Sequence, residues 1–452
     1  MKMIPIQKIR FVLLWTLLAL APFHAFFITW MKSLLGSGYF VTLLSAWREG
    51  IVVLIGGLIL LEVAPLGRIN FLASPRRLGL EYKKIHRKLD LLDFLILGYG
   101  VLGLLWLPFQ WKAPLPWLFG VRFDIFPFLL LLLVRHTSWQ SPDKLFKIAL
   151  ISGGITVIFG LLHALVLPQD FLMNFGYSNQ QGPYQPQLAI SGCQYLEHTS
   201  SVCRATSTFS SPMRFASYLL LLAGLVLPFL KGCAPWAHSA SSLAAARPGW
   251  WIFFAAIFAN IFLTYSRAAW IGSIVFLVLA GGFFFRDAII KHKKKVMSGL
   301  GILLILGLLG FGMLQQSPKY RDFVKIAVWR NSSTSEHLQH LKESAKLLQE
   351  HPWGIGLGTA GPASLRFEKL VTENWYLQIA VEMGIPGLVL FLGILIALFY
   401  ALLKSKSEIS FGLFCSLAGI GAAAMFLHFF EETSMILTLM ALAGISTSHR
   451  QS

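Results

Sequence analysis

The chain has 452 residues, of which 56% are hydrophobic and only 13% charged, and it carries a formal net charge of +18. Soluble domains hold about 25% charged residues, so water is excluded as the main solvent of this chain. Its positive charge would suggest nucleic acid in a soluble protein. Here much of it lies in short loops beside apolar runs, where anionic lipid headgroups satisfy it, and no nucleic-acid partner is expected.

Long apolar stretches cross hydrocarbon only as helices or closed barrels, and these stretches lack the alternation of barrel strands. A spanning helix needs roughly 20 residues. Stretches of that kind lie near residues 10–30, 50–66, 91–109, 116–134, 147–167, 214–230, 250–265, 268–285, 297–314, 374–403, 410–429 and 433–447. The expectation is an all-α polytopic protein of about twelve transmembrane helices, forming a single integral membrane domain over residues 1–452. The N-terminal MKMIPIQKIRFVLLWTLLALAPFHAFF has the basic flank of a signal peptide but no clean small-x-small cleavage pattern, and reads as a retained first span.

Basic loops fix the orientation. Arg68, Arg76, Arg77, Lys83, Lys84, Arg87 and Lys88 fill one, and Arg286, Lys291, Lys293, Lys294 and Lys295 another, so both belong on the cytoplasmic side. Both termini then lie inside, and the two long polar segments, 168–213 and 315–372, are external loops. Cys193 and Cys203 share the first of these. They form either a disulfide, stabilising by about 2–3 kcal/mol, or two separate thiols. Neither CxxC nor HExxH spacing is present, so no metal or cofactor is expected.

Within the first external loop, RATSTFSSPMRFASYL starts at Arg204 and leads into the sixth span through Arg214. TYSRAAWIG follows from Thr264, placing Ser266 and Arg267 between two apolar stretches with almost no loop, so this guanidinium sits close to the membrane surface. Alone it could snorkel to headgroups. With Arg204, Arg214 and Arg366 on the same side it makes a cluster suited to a lipid-linked diphosphate, because the planar fork binds phosphate oxygens bidentately.

The second external loop contains SSTSEHLQHLKESAKLLQEHPWGIGLGTAG. Leu338, Leu341, Ala345 and Leu348 repeat at helical spacing, Ser333 and Glu336 form a capping box, and Pro352 and Gly354 end the amphipathic helix. His337 and His340 read as part of its solvated face. The tenth span begins after Thr372 as a cap, and GIPG at 384–387 interrupts it, since Pro386 lacks a donor and clashes with the preceding turn. A kink there implies a polar cavity near Gly384, or a packing kink without ligand. Glu373 and Asn374 stand at the mouth of this span. Glu373 either complements the helix N-terminus or acts as a general base on an acceptor hydroxyl. His428, Glu431 and Glu432 are further ionisable groups in or beside the eleventh span.

Taken in order, these segments resemble the O-antigen ligase and polymerase superfamily, including its protein O-oligosaccharyltransferase branch. TYSRAAW is similar to that family's T-x-SR-x-x-W segment and EHPWGIGLGTAG to its HPx-G-x-G-x-G motif. Glu373, Asn374, nine residues, Gly384, two residues and Gly387 resemble the ligase pattern of histidine, Asn, nine residues, Gly, two residues and a small residue. Glu373 replaces the expected histidine. The resemblance implies a GT-C-like bacterial inner-membrane glycosyltransferase, without metal or nucleotide. It would move a glycan from an undecaprenyl-diphosphate donor to a glycan or glycolipid acceptor, with its site facing outside. By position, Arg267 would hold the diphosphate with help from Arg214, and Glu373 would take the catalytic histidine's place, with His428 or His337 as alternative bases. Arg204, Arg366, Asn374 and Ser266 complete the candidate site. Competing readings are glycosylation of protein side chains, a transporter or lipid flippase, and a scaffold for polysaccharide export.

Overall fold

The computed structural model describes residues 6–36, 38–63, 89–112, 114–139, 141–178, 190–196, 202–230, 247–286, 331–361 and 371–448, with a few isolated positions besides. Its helices follow the apolar runs: α1 (Ile6–Leu20), α2 (His24–Leu35), α3 (Trp47–Val63), α4 (Leu91–Leu104), α5 (Pro114–Gly120), α6 (Phe126–Arg135), α7 (Pro142–Leu165), α8 (Pro212–Leu230), α9 (Arg247–Leu263), α10 (Arg267–Phe284), α11 (Asn331–Glu350), α12 (Trp375–Lys404), α13 (Glu408–Ala423) and α14 (Thr433–Ser446). Among the described residues, six helices are long and apolar enough to cross a membrane, and four shorter apolar ones accompany them. The protein is thus an all-α membrane protein. The basic loop at 68–88 and nearly all of the expected ninth span lie outside the described residues.

Helices α8 and α14 form the centre. Every residue of α14 is buried, as is nearly every residue of α8. Close helix approach explains how apolar helices associate where lipid offers no hydrophobic drive. A Cβ on Gly224 of α8 would stand 2.2 Å from the Gly412 carbonyl oxygen of α13, and one on Gly272 of α10 would stand 2.5 Å from that of Gly419. A buried ionic lock closes one end of the bundle. Arg135 of α6 reaches both Asp90, which opens α4 in a capping box, and Asp93, 2.6 Å away.

The segment before α8 is held by a disulfide between Cys193 and Cys203, at a two-stranded hairpin of β1 (Gln194–Tyr195) and β2 (Cys203–Arg204). Arg204 Nε donates to the Thr264 carbonyl at 2.8 Å, and the Ala205 amide donates to that of Leu263. The hairpin is thereby clamped onto the α9–α10 turn.

One expectation about the tenth span needs correction. Its N-cap is Asn374 and not Thr372: the Asn374 side chain accepts from the Leu377 amide at 2.9 Å. The interruption is real, with Gly384 at φ 71°, ψ −177°, and of the two readings, polar cavity or packing kink, the kink holds, because protein backbone fills the break. Ile385 donates to the Pro352 carbonyl, while Ile355 and Gly356 donate to those of Val381 and Glu382. Both Glu382 carboxylate oxygens accept amides of the same glycine-rich loop, from Gly358 and Ala360, at 2.9 Å each. The loop can come this close because its turns lack side chains. At Gly358 (φ +71°) a Cβ would meet the Pro116 carbonyl oxygen at 1.9 Å.

Gly384→Ala is therefore expected to destabilise the protein by at least about 2 kcal/mol, from a backbone conformation reserved for glycine and a clash with Trp353 backbone at 2.4 Å. Thermal unfolding in detergent, with increased proteolysis in the loop 351–361, checks this. A variant as stable as the parent would show that the loop does not lock the break.

The eleventh span also ends earlier than expected. Helix α13 stops at Ala423, so His428, expected within the span, lies in the connection to α14 together with Glu431 and Glu432, which stand beyond the span as expected. The apolar run continues past the helix into the connection, where Met425 and Phe426 are about half exposed.

Candidate functional site

The site is built where six chain segments end on one face of the bundle. Helix α10 starts there, with Ser266 as its N-cap, accepting from the Ala269 amide, and Arg267 as its first residue. Helix α8 starts there with Arg214, whose guanidinium donates to Ser210 Oγ at 2.9 Å and lies 3.4 Å from Glu432. Glu432 in turn caps α14 through the Ser434 amide. Asn374 caps α12 and donates from its amide nitrogen to the Met425 carbonyl at 2.8 Å, tying α12 to the 424–432 connection.

Helix α11 lies across this mouth and packs against α12. Its orientation differs from the one its apolar periodicity predicts. Leu338 is 54% exposed and Ala345 is exposed, whereas His337, His340, Leu341, Ser344, Leu347 and Leu348 face the protein. The helix covers a polar mouth, so polar residues turn inward. His337 Nδ1 contacts Glu373 Oε2, with both side chains about a quarter exposed. Glu373 itself is held at φ 52°, a left-handed conformation uncommon for non-glycine residues and frequent at functional positions. The capping box of Ser333 and Glu336 lies outside the described side chains, as does Arg366.

Burial, then the Arg267 guanidinium and His340, hold the His337 imidazole below its ordinary range, so Arg267 is within electrostatic reach of the His337–Glu373 contact. His428 is 3% exposed, and its Nε2 lies 3.3 Å from Thr372 Oγ1. Burial pushes this imidazole down to about 3, with His337 and Arg214 adding to the shift. Burial thus shifts both rings toward the neutral form. Arg267, His337, Glu373, His428 and Arg214 therefore converge. Ser266, Asn374 and Arg204 hold the segments that carry them, through caps and clamps.

The sequence reading missed Arg48, Arg122 and Glu382. Arg48 is 4% exposed and donates to Ser434 Oγ at 2.9 Å, and Arg122 pairs with Glu49 at 2.6 Å. Arg122 and Asp124 interrupt the apolar run 116–134, and intramembrane ionisable residues are functional candidates by default. That signal was present.

These features define a multi-pass helical membrane protein with a cationic, histidine-bearing mouth under an amphipathic helix. Residues 252–392 match the family model described as O-antigen ligase, and this range carries Arg267, the glycine-rich loop, Glu373 and Gly384. Over 244 residues the chain is 26% identical to an O-antigen polymerase of Salmonella muenchen, covering 51% of this chain. The match spans about half of that relative as well, 55% of its length. The resemblance to the O-antigen ligase and polymerase superfamily thus holds both for the family model and for a curated relative.

Proposed function

We propose that this protein is a bacterial inner-membrane glycosyltransferase of surface polysaccharide assembly, which transfers a glycan from an undecaprenyl-diphosphate donor to an acceptor sugar. The observation that carries this reading is the His337–Glu373 contact beside Arg267. Transfer requires an acceptor hydroxyl to lose its proton as its oxygen bonds to the anomeric carbon. The bond from that carbon to the diphosphate breaks, and the diphosphate leaves with the electron pair. Glu373 accepts a hydrogen bond from the Nδ1–H of His337, which holds the tautomer whose Nε2 lone pair takes the hydroxyl proton. A carboxylate orienting an imidazole is a recurring base arrangement. Arg267 and Arg214 offset the charge gathering on the diphosphate. The mouth faces outside, where the positive-inside arrangement of the basic loops puts it.

The departure of Glu373 from the family pattern is accounted for in this way: α11 supplies the imidazole that the tenth span lacks. The test is reconstitution of purified protein with an undecaprenyl-diphosphate-linked glycan. Lengthened lipid-linked product, or glycan joined to a lipid A core, is the expected outcome. Donor left intact in the presence of both acceptors, or glycan found only on protein, would reject this reading.

A further inference from the structure

Farther along α12 from Glu373, two carboxyl groups meet inside the bundle with no cation between them. Asp124 stands on a π-helical turn, Val121–Ile125, that joins α5 to α6, and it is 1% exposed. Glu382, just before the Gly384 break, is fully buried. The two side chains hydrogen-bond to each other. Ionised carboxylates only accept, so a hydrogen bond between two carboxyls needs a proton on one of them.

The neighbours decide which one carries it. Glu382 faces donors: the Gly358 and Ala360 amides reach it at 2.9 Å each, and the Gln378 carboxamide bonds to it as well. Glu382 is therefore the acceptor. Asp124 receives no hydrogen bond from any other described residue, and the groups that act on it electrostatically are the carboxyls of Glu382 and Glu431. Arg122, on the same turn, is already paired with Glu49. An ionised Asp124 would be a buried charge facing like charges, whereas a neutral carboxylic acid is an O–H donor. The Tyr99 phenol, fully buried and within electrostatic reach of both carboxyls, brings a neutral hydroxyl and no counter-charge.

This hydrogen bond lies where three parts of the mouth join. The glycine-rich loop is wedged between the two partners: a Cβ on Gly120, which precedes the π-helical turn, would stand 2.5 Å from the Gly358 amide nitrogen, and that amide donates to Glu382. Glu382 ends the half-helix 375–383, which begins next to Glu373. The π-helical turn packs in turn against Phe429–Glu431, the stretch that follows His428.

We infer that Asp124 keeps its proton and donates it to the Glu382 carboxylate, and that this neutral-acid latch fixes the glycine-rich loop and the first half of α12, making Asp124 a positioning residue for Glu373. The effect on glycan transfer rests on the transferase reading above. The proton and the attachment of the loop do not.

Infrared difference spectroscopy of the full-length protein in detergent at neutral pH reads the proton directly. Only a protonated carboxyl shows a carboxylic-acid carbonyl stretch, and this band shifts in heavy water. Such a band is expected in the parent and is expected to be lost in Asp124→Asn. Asparagine still offers Glu382 an N–H donor, so in this variant the loop 351–361 should resist proteolysis as in the parent and transfer should stay near the parental rate. Asp124→Ala removes the donor, and Glu382→Gln sets an NH₂ group against the loop amides. Both should speed cleavage of the loop and lower transfer at least about tenfold, as misplacement by a distant group does. A carboxylic-acid band unchanged between the parent and Asp124→Asn overturns the latch, as does a loop in Asp124→Asn that is cleaved as fast as in Asp124→Ala. If the band and the loop behave as expected while even the parent transfers no glycan, the transferase reading fails and the latch stands.

Discussion

His337→Ala is expected to lower glycan transfer by about 10²- to 10⁴-fold, the range that a positioned general base contributes. Glu373→Gln should fall within the same range, because a carboxamide can present its NH₂ to the ring and stabilise the wrong tautomer. Residues that act as one unit do not add, so the double variant should be little worse than His337→Ala alone. The pH profile gives an independent check. A base works in its deprotonated form, and the His337 imidazole is held below 6.5 by burial, Arg267 and His340. Activity should therefore be flat through pH 7 and decline only on acidification below that value. Removing the Glu373 charge takes away a stabiliser of the imidazolium, so in Glu373→Gln the acid limb should move to still lower pH while the maximum rate falls. If His337→Ala transfers at the parental rate, the base is Glu373 itself or His428, and α11 only covers the mouth.

The parts of this molecule that hydrocarbon dictates were legible from the chain alone. Apolar runs became helices, and the GIPG interruption of α12 became a real break, because backbone and solvent chemistry act locally. The TYSRAAW segment opens α10, with Ser266 as its cap, and the HPWGIGLGTAG segment packs against the α12 break. The misreadings came from tertiary context. The inward face of α11 was sought among Leu338, Leu341, Ala345 and Leu348, of which Leu341 and Leu348 face the protein while Leu338 and Ala345 are exposed. The helix also rests on polar groups, so His337 and His340 face in. Thr372 and Asn374 compete for one N-cap, and only the Met425 carbonyl, 51 residues on, decides for Asn374. Arg48 sits at the edge of an apolar run where snorkelling is the ordinary explanation, and nothing nearby in sequence reveals that Ser434 receives it. The Gly384 break was filled by a loop that approaches from about 30 residues upstream in the chain, which no local pattern encodes.

Arg267→Ala should cost about 10²- to 10³-fold in kcat, the loss seen when one charge-stabilising donor is removed from a transition state, with only about tenfold weaker donor binding. The asymmetry follows from where the charge grows. The ground-state diphosphate is already anionic and bound by several groups, whereas the bond to the anomeric carbon releases further negative charge onto the bridging oxygen as it breaks. Arg267 is the first residue of α10, so its guanidinium and the helix N-terminus bring positive charge to the same place. Arg267→Lys keeps the charge but loses the planar fork, and should recover only part of the rate. Arg204→Ala provides the contrast. That side chain grips the Thr264 carbonyl, so its loss should loosen the β1–β2 hairpin and lower thermal stability, with donor binding in the surviving folded protein near the parental value. A variant series in which Arg204→Ala reduces kcat as far as Arg267→Ala, at unchanged stability, would move the diphosphate away from α10 and onto the hairpin.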